Sequence, residues 1–211
     1  MKTQSLIELL ARGAGPAQPP PVLQRMAPAV ALGLFVSALF ALLSTGAIPA
    51  TMWATPAPWM KLIYGASLVL AAGWLTARLS RPIAPTLGPV RAVLAVVAFM
   101  LSLGAIALLT AAPEQRTSTL LGETWLTCPS SVVLLSLPAL AGALWALRGL
   151  APTRLGAAGF NAGLMAGAQG AMGYALVCPE VSATFVAVWY SLGILLTGLL
   201  GALLGPRLLR W

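Results

Sequence analysis

Residues 27–48 read Ala27-Pro-Ala-Val-Ala-Leu-Gly-Leu-Phe-Val-Ser-Ala-Leu-Phe-Ala-Leu-Leu-Ser-Thr-Gly-Ala-Ile48, 22 residues without a charge. About 20 apolar residues carry a helix across a bilayer, so this run is of spanning length. Its apolar character is continuous rather than alternating, and in hydrocarbon the backbone then satisfies itself only as a helix. The pattern recurs near 60–79, 89–111, 126–147, 155–177 and 183–205. Over 211 residues only 8% are charged, against about a quarter in a soluble domain. The fold expected is all-α, a polytopic membrane bundle of six transmembrane helices. Residues 1–26 stand apart from the spanning domain, 27–211, as an arm with a Pro-rich spacer at 16–21. That spacer, and the lack of a small-x-small site after the first run, favour a span over a cleaved signal.

The loops orient the bundle. Ten of the 12 basic residues (Lys2, Arg12, Arg25, Arg78, Arg81, Arg91, Arg148, Arg154, Arg207, Arg210) fall at one set of span ends. The positive-inside bias makes that face, and both termini, cytoplasmic. Three of the four acids, Glu114, Glu123 and Glu180, fall on the other face with Lys61 and Arg116. The net charge of +8 is therefore a topology signal, and direct nucleic-acid binding is not expected.

The chain has no histidine. This excludes histidine zinc sites, Ser–His catalysis and histidine relays, and no enzymatic activity or cofactor is expected. Apart from Lys61 at one edge, no ionisable group is expected at depth other than the two thiols, which argues against an ion-coupled transporter. Gly159, Gly163 and Gly167, with Gly198, Gly201 and Gly205, make small-residue faces suited to close helix packing within the chain. Asn161 and Gln169 read as interhelical hydrogen-bonding residues, and Pro138 as a kink.

Cys128 precedes Pro129, and Cys178 precedes Pro179 and Glu180. Counted from the arginines across the bilayer, the two cysteines lie roughly 30 and 36 Å away along their helices. Both therefore sit near the outer boundary, on spans expected to pair as an antiparallel hairpin. Cys128 reads as an N-cap with Pro129 at the first helical position, which makes it the better nucleophile. Cys178 either ends the fifth span or caps the sixth, beside the opposing charge of Glu180. The pair is a candidate for oxidation or soft-metal capture, with Cys128 reacting first and Cys178 resolving. Inert structural cysteines or a permanent disulfide are the alternatives. At the other end of the chain, residues 3–12 form a short helix with Leu6, Ile7, Leu9 and Leu10 on its apolar face. Such a helix is too short to be stable alone; it docks on a partner or on the membrane surface.

The ending Gly201-Ala-Leu-Leu-Gly-Pro-Arg-Leu-Leu-Arg-Trp211 occurs together with Cys178-Pro179-Glu180 and Val188-Trp189-Tyr190. With Leu6, Ile7 and Leu10, the Trp125-x-x-Cys128 block and Ala151-Pro152-Thr153-Arg154, it resembles the NrsF family (negative regulator of sigma F) over essentially the whole chain. The resemblance implies a six-span anti-sigma factor of the bacterial inner membrane. Its cytoplasmic N-terminal segment, here Leu6, Ile7, Leu9 and Leu10, would sequester an extracytoplasmic-function sigma factor. It also implies that two periplasm-facing cysteines, matching Cys128 and Cys178 and flanked by Pro129, Pro179 and Glu180, release the sigma factor under oxidant or heavy-metal stress. Val177 stands where many relatives place a histidine, which tilts the site towards thiol oxidation or metal capture by Cys128 and Cys178 alone. The N-terminal segment also lacks an acidic run associated with relatives. The rival reading is a small membrane transporter or another thiol-redox membrane protein.

Overall fold

The computed structural model describes residues 3–13, 22–80, 84–150 and 152–210, and of Leu6 the backbone alone. The spacer expected at 16–21 lies outside these residues, as do Lys2 and Arg81. Among the described residues the chain is all-α, with no strand. Helix α1 (Thr3–Gly13) is followed by α2 (Val22–Thr45), α3 (Pro56–Leu79) and α4 (Leu87–Thr110). A short α5 (Arg116–Leu121) leads into α6 (Cys128–Arg148) and α7 (Leu155–Ala175). The last rod, Ala183–Leu208, consists of α8 (Ala183–Phe185), a wide π turn (Val186–Tyr190) and α9 (Ser191–Leu208). The six long elements coincide with the six apolar segments, although α2 begins five residues before the expected start.

Five of the six are long and apolar enough to cross a membrane; α7 is the exception. Its composition, Leu155-Gly-Ala-Ala-Gly-Phe-Asn-Ala-Gly-Leu-Met-Ala-Gly-Ala-Gln-Gly-Ala-Met-Gly-Tyr-Ala175, explains why. Helix α7 stands at the centre, packed on α9, α6, α3 and α2, and most of its residues are buried. A helix enclosed by other helices needs small side chains for close approach more than it needs apolar surface for lipid. The outer helices show the opposite pattern. Phe35 and Leu43 of α2, and Phe99, Ile106 and Leu109 of α4, are all exposed. Leaving each in water forgoes about 1.5–3 kcal/mol of transfer free energy, so this surface matches hydrocarbon.

The glycine faces do what their spacing suggests, within one chain. A Cβ on Gly159 would run into the Gly201 carbonyl, and one on Gly163 into the Thr197 carbonyl. Gly170 turns instead to Val132 and Ser136 of α6, and Gly173 to Ser37 of α2. Polar bonds fix the rotations. Asn161 Nδ2 donates to the Ala72 carbonyl (2.8 Å) and to Thr76 Oγ1 (2.6 Å), and Ser136 and Thr197 pair at 3.0 Å. The Gln169 side chain donates within its own helix, to the Met165 carbonyl at 3.4 Å, while its Oε1 lies against Gly33 of α2 and its backbone carbonyl accepts from Ser37 Oγ at 3.4 Å. Pro138 lies inside α6, which continues through it to Arg148.

The packing also sorts the charges. Arg25 lies against Gly149, at the start of α2 and the end of α6. Arg78, Thr86 and Arg154 line one polar cavity of about 160 Å³ where α3 ends and α4 and α7 begin. Gly205 of α9 abuts the Leu155 carbonyl. These helix ends thus form one basic end of the bundle. The cysteines lie at the other.

Candidate functional site: a buried thiol pair under a strap

Cys128 is the first residue of α6, and Cys178 lies just beyond α7. The Cys178 amide donates to the Tyr174 carbonyl at 2.9 Å, so this residue closes the fifth long helix. Ser182 caps the last rod, its Oγ accepting from the Phe185 amide at 3.3 Å. At Cys128 the expected geometry is off by one residue: Thr127 is the N-cap, Cys128 the first helical position and Pro129 the second. Both cysteines are free thiols, 0% and 1% exposed, in one core cluster with Val132, Tyr174, Phe185, Val186 and Tyr190.

A buried cation joins them. Lys61 of α3 is 0% exposed, and its Nζ donates to the Cys178 carbonyl at 2.8 Å. The same ammonium lies 5.9 Å from the centre of the Tyr190 ring and within electrostatic range of Cys178, Glu180 and Cys128. Among the described residues no carboxylate forms an ion pair with it. The sequence puts Lys61 at one edge of its apolar segment and leads to no ionisable group at depth other than the thiols; the burial of Lys61 corrects that. The signal was there to be found, since a lone lysine in an apolar run, six positions into its helix, is a functional candidate by default.

Tyr190 is the second unforeseen member. It projects from the π turn, a feature frequent at functional sites, and stacks on Tyr174 with ring centres 5.8 Å apart. Its side chain is fully buried and its hydroxyl has no hydrogen-bond partner. Tyr190 shares the core cluster with both cysteines.

A strap comprising α5 and residues 122–127 is pinned across this end. Glu180 Oε1 accepts from the Glu123 amide (2.7 Å), the Thr124 amide (3.0 Å) and Thr124 Oγ1 (3.1 Å). The turn beneath needs Gly122, whose φ is +58° and whose Cβ position the carboxylate would occupy. Ser182 Oγ donates to the Thr119 carbonyl and Trp189 Nε1 to that of Leu120, both at 2.8 Å. Trp125 packs on Trp189 with ring centres 5.5 Å apart. Glu180, expected to act on the neighbouring thiol as an opposing charge, also directs its carboxylate to the strap and staples it down.

Glu180→Ala is therefore expected to loosen the strap. Hydrogen bonds to a charged group are worth about 1.5–3 kcal/mol, so thiol labelling through local opening should accelerate about 10- to 100-fold. Maleimide labelling of the purified protein under native conditions measures it; an unchanged rate would show that the strap does not limit access.

Of the other predicted site residues, Pro129 is buried at the head of α6 and Pro179 is exposed beside the site. Ile7, Leu9 and Leu10 are exposed on the strongly amphipathic α1 and form no part of the cysteine cluster; the Leu6 side chain lies outside the described residues. No group of three or more His, Cys, Asp or Glu able to hold a metal ion occurs among the described residues.

No solved structure matches this chain. The family model described as negative regulator of sigma F matches residues 10–211. The probable anti-sigma-F factor NrsF of Azospira oryzae is 41% identical over 215 residues, and the anti-sigma-F factor NrsF of Caulobacter vibrioides 40% identical over 220. Both alignments cover 100% of this chain and of the relative. With the match extending through both cysteine segments and the closing rod, the chain belongs to the NrsF family, whose members are regulators and not enzymes.

Proposed function

We propose that this protein is an anti-sigma factor of the bacterial inner membrane that holds an extracytoplasmic-function sigma factor and releases it when Cys128 and Cys178 are oxidised. The observation that carries the reading is full-length similarity to two proteins named as anti-sigma-F factors, in a chain whose two thiols share one buried cluster. All six long helices cross the membrane in this reading. Helix α7 has 21 residues, about 32 Å at 1.5 Å per residue, and its enclosure by neighbours explains its modest hydropathy. The basic end faces the cytoplasm with both termini, by the positive-inside rule. The strap and cysteines face the periplasm.

The sigma factor is held from the cytoplasmic side, with Leu6, Ile7, Leu9 and Leu10 of α1 contributing an apolar face. Such a face, too short to be stable alone, gains its burial by docking on a partner. An oxidant is favoured over a heavy-metal cation as the stimulus. The buried Lys61 ammonium repels a cation at the thiols and supplies the counter-charge of an anionic sulfur.

Co-purification tests the reading. The intact chain, extracted from its host in mild detergent, is expected to carry a sigma factor. A chain lacking residues 1–15 is expected to insert in the membrane without one. An intact chain that captures no sigma factor would refute the anti-sigma role.

A further inference from the structure

The two thiols have unequal surroundings. Lys61 uses one of its three N–H donors on the Cys178 carbonyl, which places its Nζ at the backbone of the residue that carries the thiol. The Tyr190 hydroxyl, fully buried and without a hydrogen-bond partner, belongs to the same core cluster as Cys178. A buried donor left open costs free energy in the resting state, and such a group calls for an explanation in another state of the protein. An anionic sulfur at Cys178 supplies one, because it would accept from the hydroxyl and from the spare Lys61 donors together. Cys128 has the amide end of α6. A helix terminus presents about half a unit charge spread over several amides, whereas a protonated Lys61 presents a full charge.

We propose that Lys61 and Tyr190 make Cys178 the thiol that attacks a peroxide first, with Cys128 resolving. This reverses the order that the local sequence suggested, and it rests on the reading of the cysteine pair as the sensor. In the first step the Cys178 sulfur donates an electron pair to one oxygen of hydrogen peroxide and the O–O bond breaks. The departing hydroxide takes the thiol proton and leaves as water. Cys178 is thereby oxidised by two electrons to the sulfenic acid. In the second step the Cys128 sulfur attacks the Cys178 sulfur, the S–S bond forms and the S–O bond breaks. The hydroxyl leaves as water with the Cys128 proton. Two thiols and one peroxide become a disulfide and two waters. Lys61 acts as a positioning residue throughout, holding the Cys178 backbone by a hydrogen bond and its sulfur by charge.

The test uses the full chain in nanodiscs, hydrogen peroxide, and a dimedone-type reagent that traps sulfenic acid, read by mass spectrometry. Cys128→Ser, which keeps Cys178, should be trapped about tenfold faster than Cys178→Ser, which keeps Cys128. Adding Lys61→Met to the Cys128→Ser chain keeps the bulk, removes the charge and should slow trapping about tenfold, while Lys61→Arg restores most of the rate. Tyr190→Phe should slow it as well. Faster trapping at Cys128, equal trapping at both, or no trapping at either overturns the proposal, as does a folded Lys61→Met chain with an unchanged rate. If Lys61→Met does not fold, the comparison of the two single-cysteine chains with Lys61 intact decides the order and Tyr190→Phe decides the donor. No sigma factor enters this assay, so its failure is distinguishable from failure of the anti-sigma reading.

Discussion

Gly163→Leu is expected to leave little folded protein in detergent, whereas Gly156→Leu on the same helix is expected to be tolerated. The contrast isolates one cause. A Cβ at Gly163 would collide with the Thr197 carbonyl and come within 2.8 Å of the Gly198 Cα, both backbone atoms of α9 that no rotamer change can move. At Gly156 nothing lies within 4 Å of the corresponding position. Both substitutions gain up to about 1 kcal/mol of helix propensity over glycine, so propensity cannot account for a difference. At Gly163 the helices must separate. That breaks the reciprocal seating of Gly159 and Gly201 and strains the Ser136–Thr197 hydrogen bond. Overpacking costs about 1–3 kcal/mol for added methylenes, and forcing the central helix off its partner exceeds that. Against a typical total of about 5–15 kcal/mol, most of the folded population is lost. Thermal unfolding with a tryptophan signal, run on the two variants side by side, measures the contrast.

The second large effect concerns release. Cys128→Ser, Cys178→Ser and the double variant are each expected to bind the sigma factor as the parent does and to keep it bound after peroxide. Disulfide formation needs both sulfurs, so one serine is as disabling as two. To move the bound fraction from about 99% to about 1%, the two states must differ in affinity by about 10⁴-fold, or 5.5 kcal/mol. That is the scale of a packing rearrangement. The geometry offers a source for it. Cys178 carries the bond to Lys61 on α3, the residue two further on staples the strap, and both segments sit at the end of the central α7. A new bond between Cys178 and Cys128 would tie the segment that closes α7 to the head of α6. Helix α3 also receives the Asn161 hydrogen bonds near the basic end, which gives the shift a path. Serine variants that still shed the sigma factor under peroxide would remove the thiols from the mechanism.

The helices were legible because hydropathy over twenty residues is a strong signal. Helix α7 shows the limit of that measure: its glycines, Asn161 and Gln169 lower its hydropathy, yet they mark it as the best-packed helix. Residue identity along the chain placed the cysteines at one end, but it did not give helix rotation, and rotation determines which side chains meet them. Lys61 lies 117 residues before Cys178, Tyr190 sits in the rod that follows it, and both turn inward only in the assembled bundle. Glu180 was noticed as a neighbour of Cys178, while its partners Glu123 and Thr124 lie 57 and 56 residues away. The one-residue offset at Cys128 has a local cause. Thr127 takes the cap position, and the Cys128 amide already bonds the Thr124 carbonyl at 2.8 Å.

The purified complex of this protein with its sigma factor, reconstituted in nanodiscs and titrated with hydrogen peroxide, tests the central claim most directly. Free thiols per chain and bound sigma factor are read on the same samples. The account predicts that two thiols disappear per chain and that the sigma factor dissociates in proportion. A sigma factor that leaves while both thiols remain free, or that stays bound after both are consumed, would contradict it.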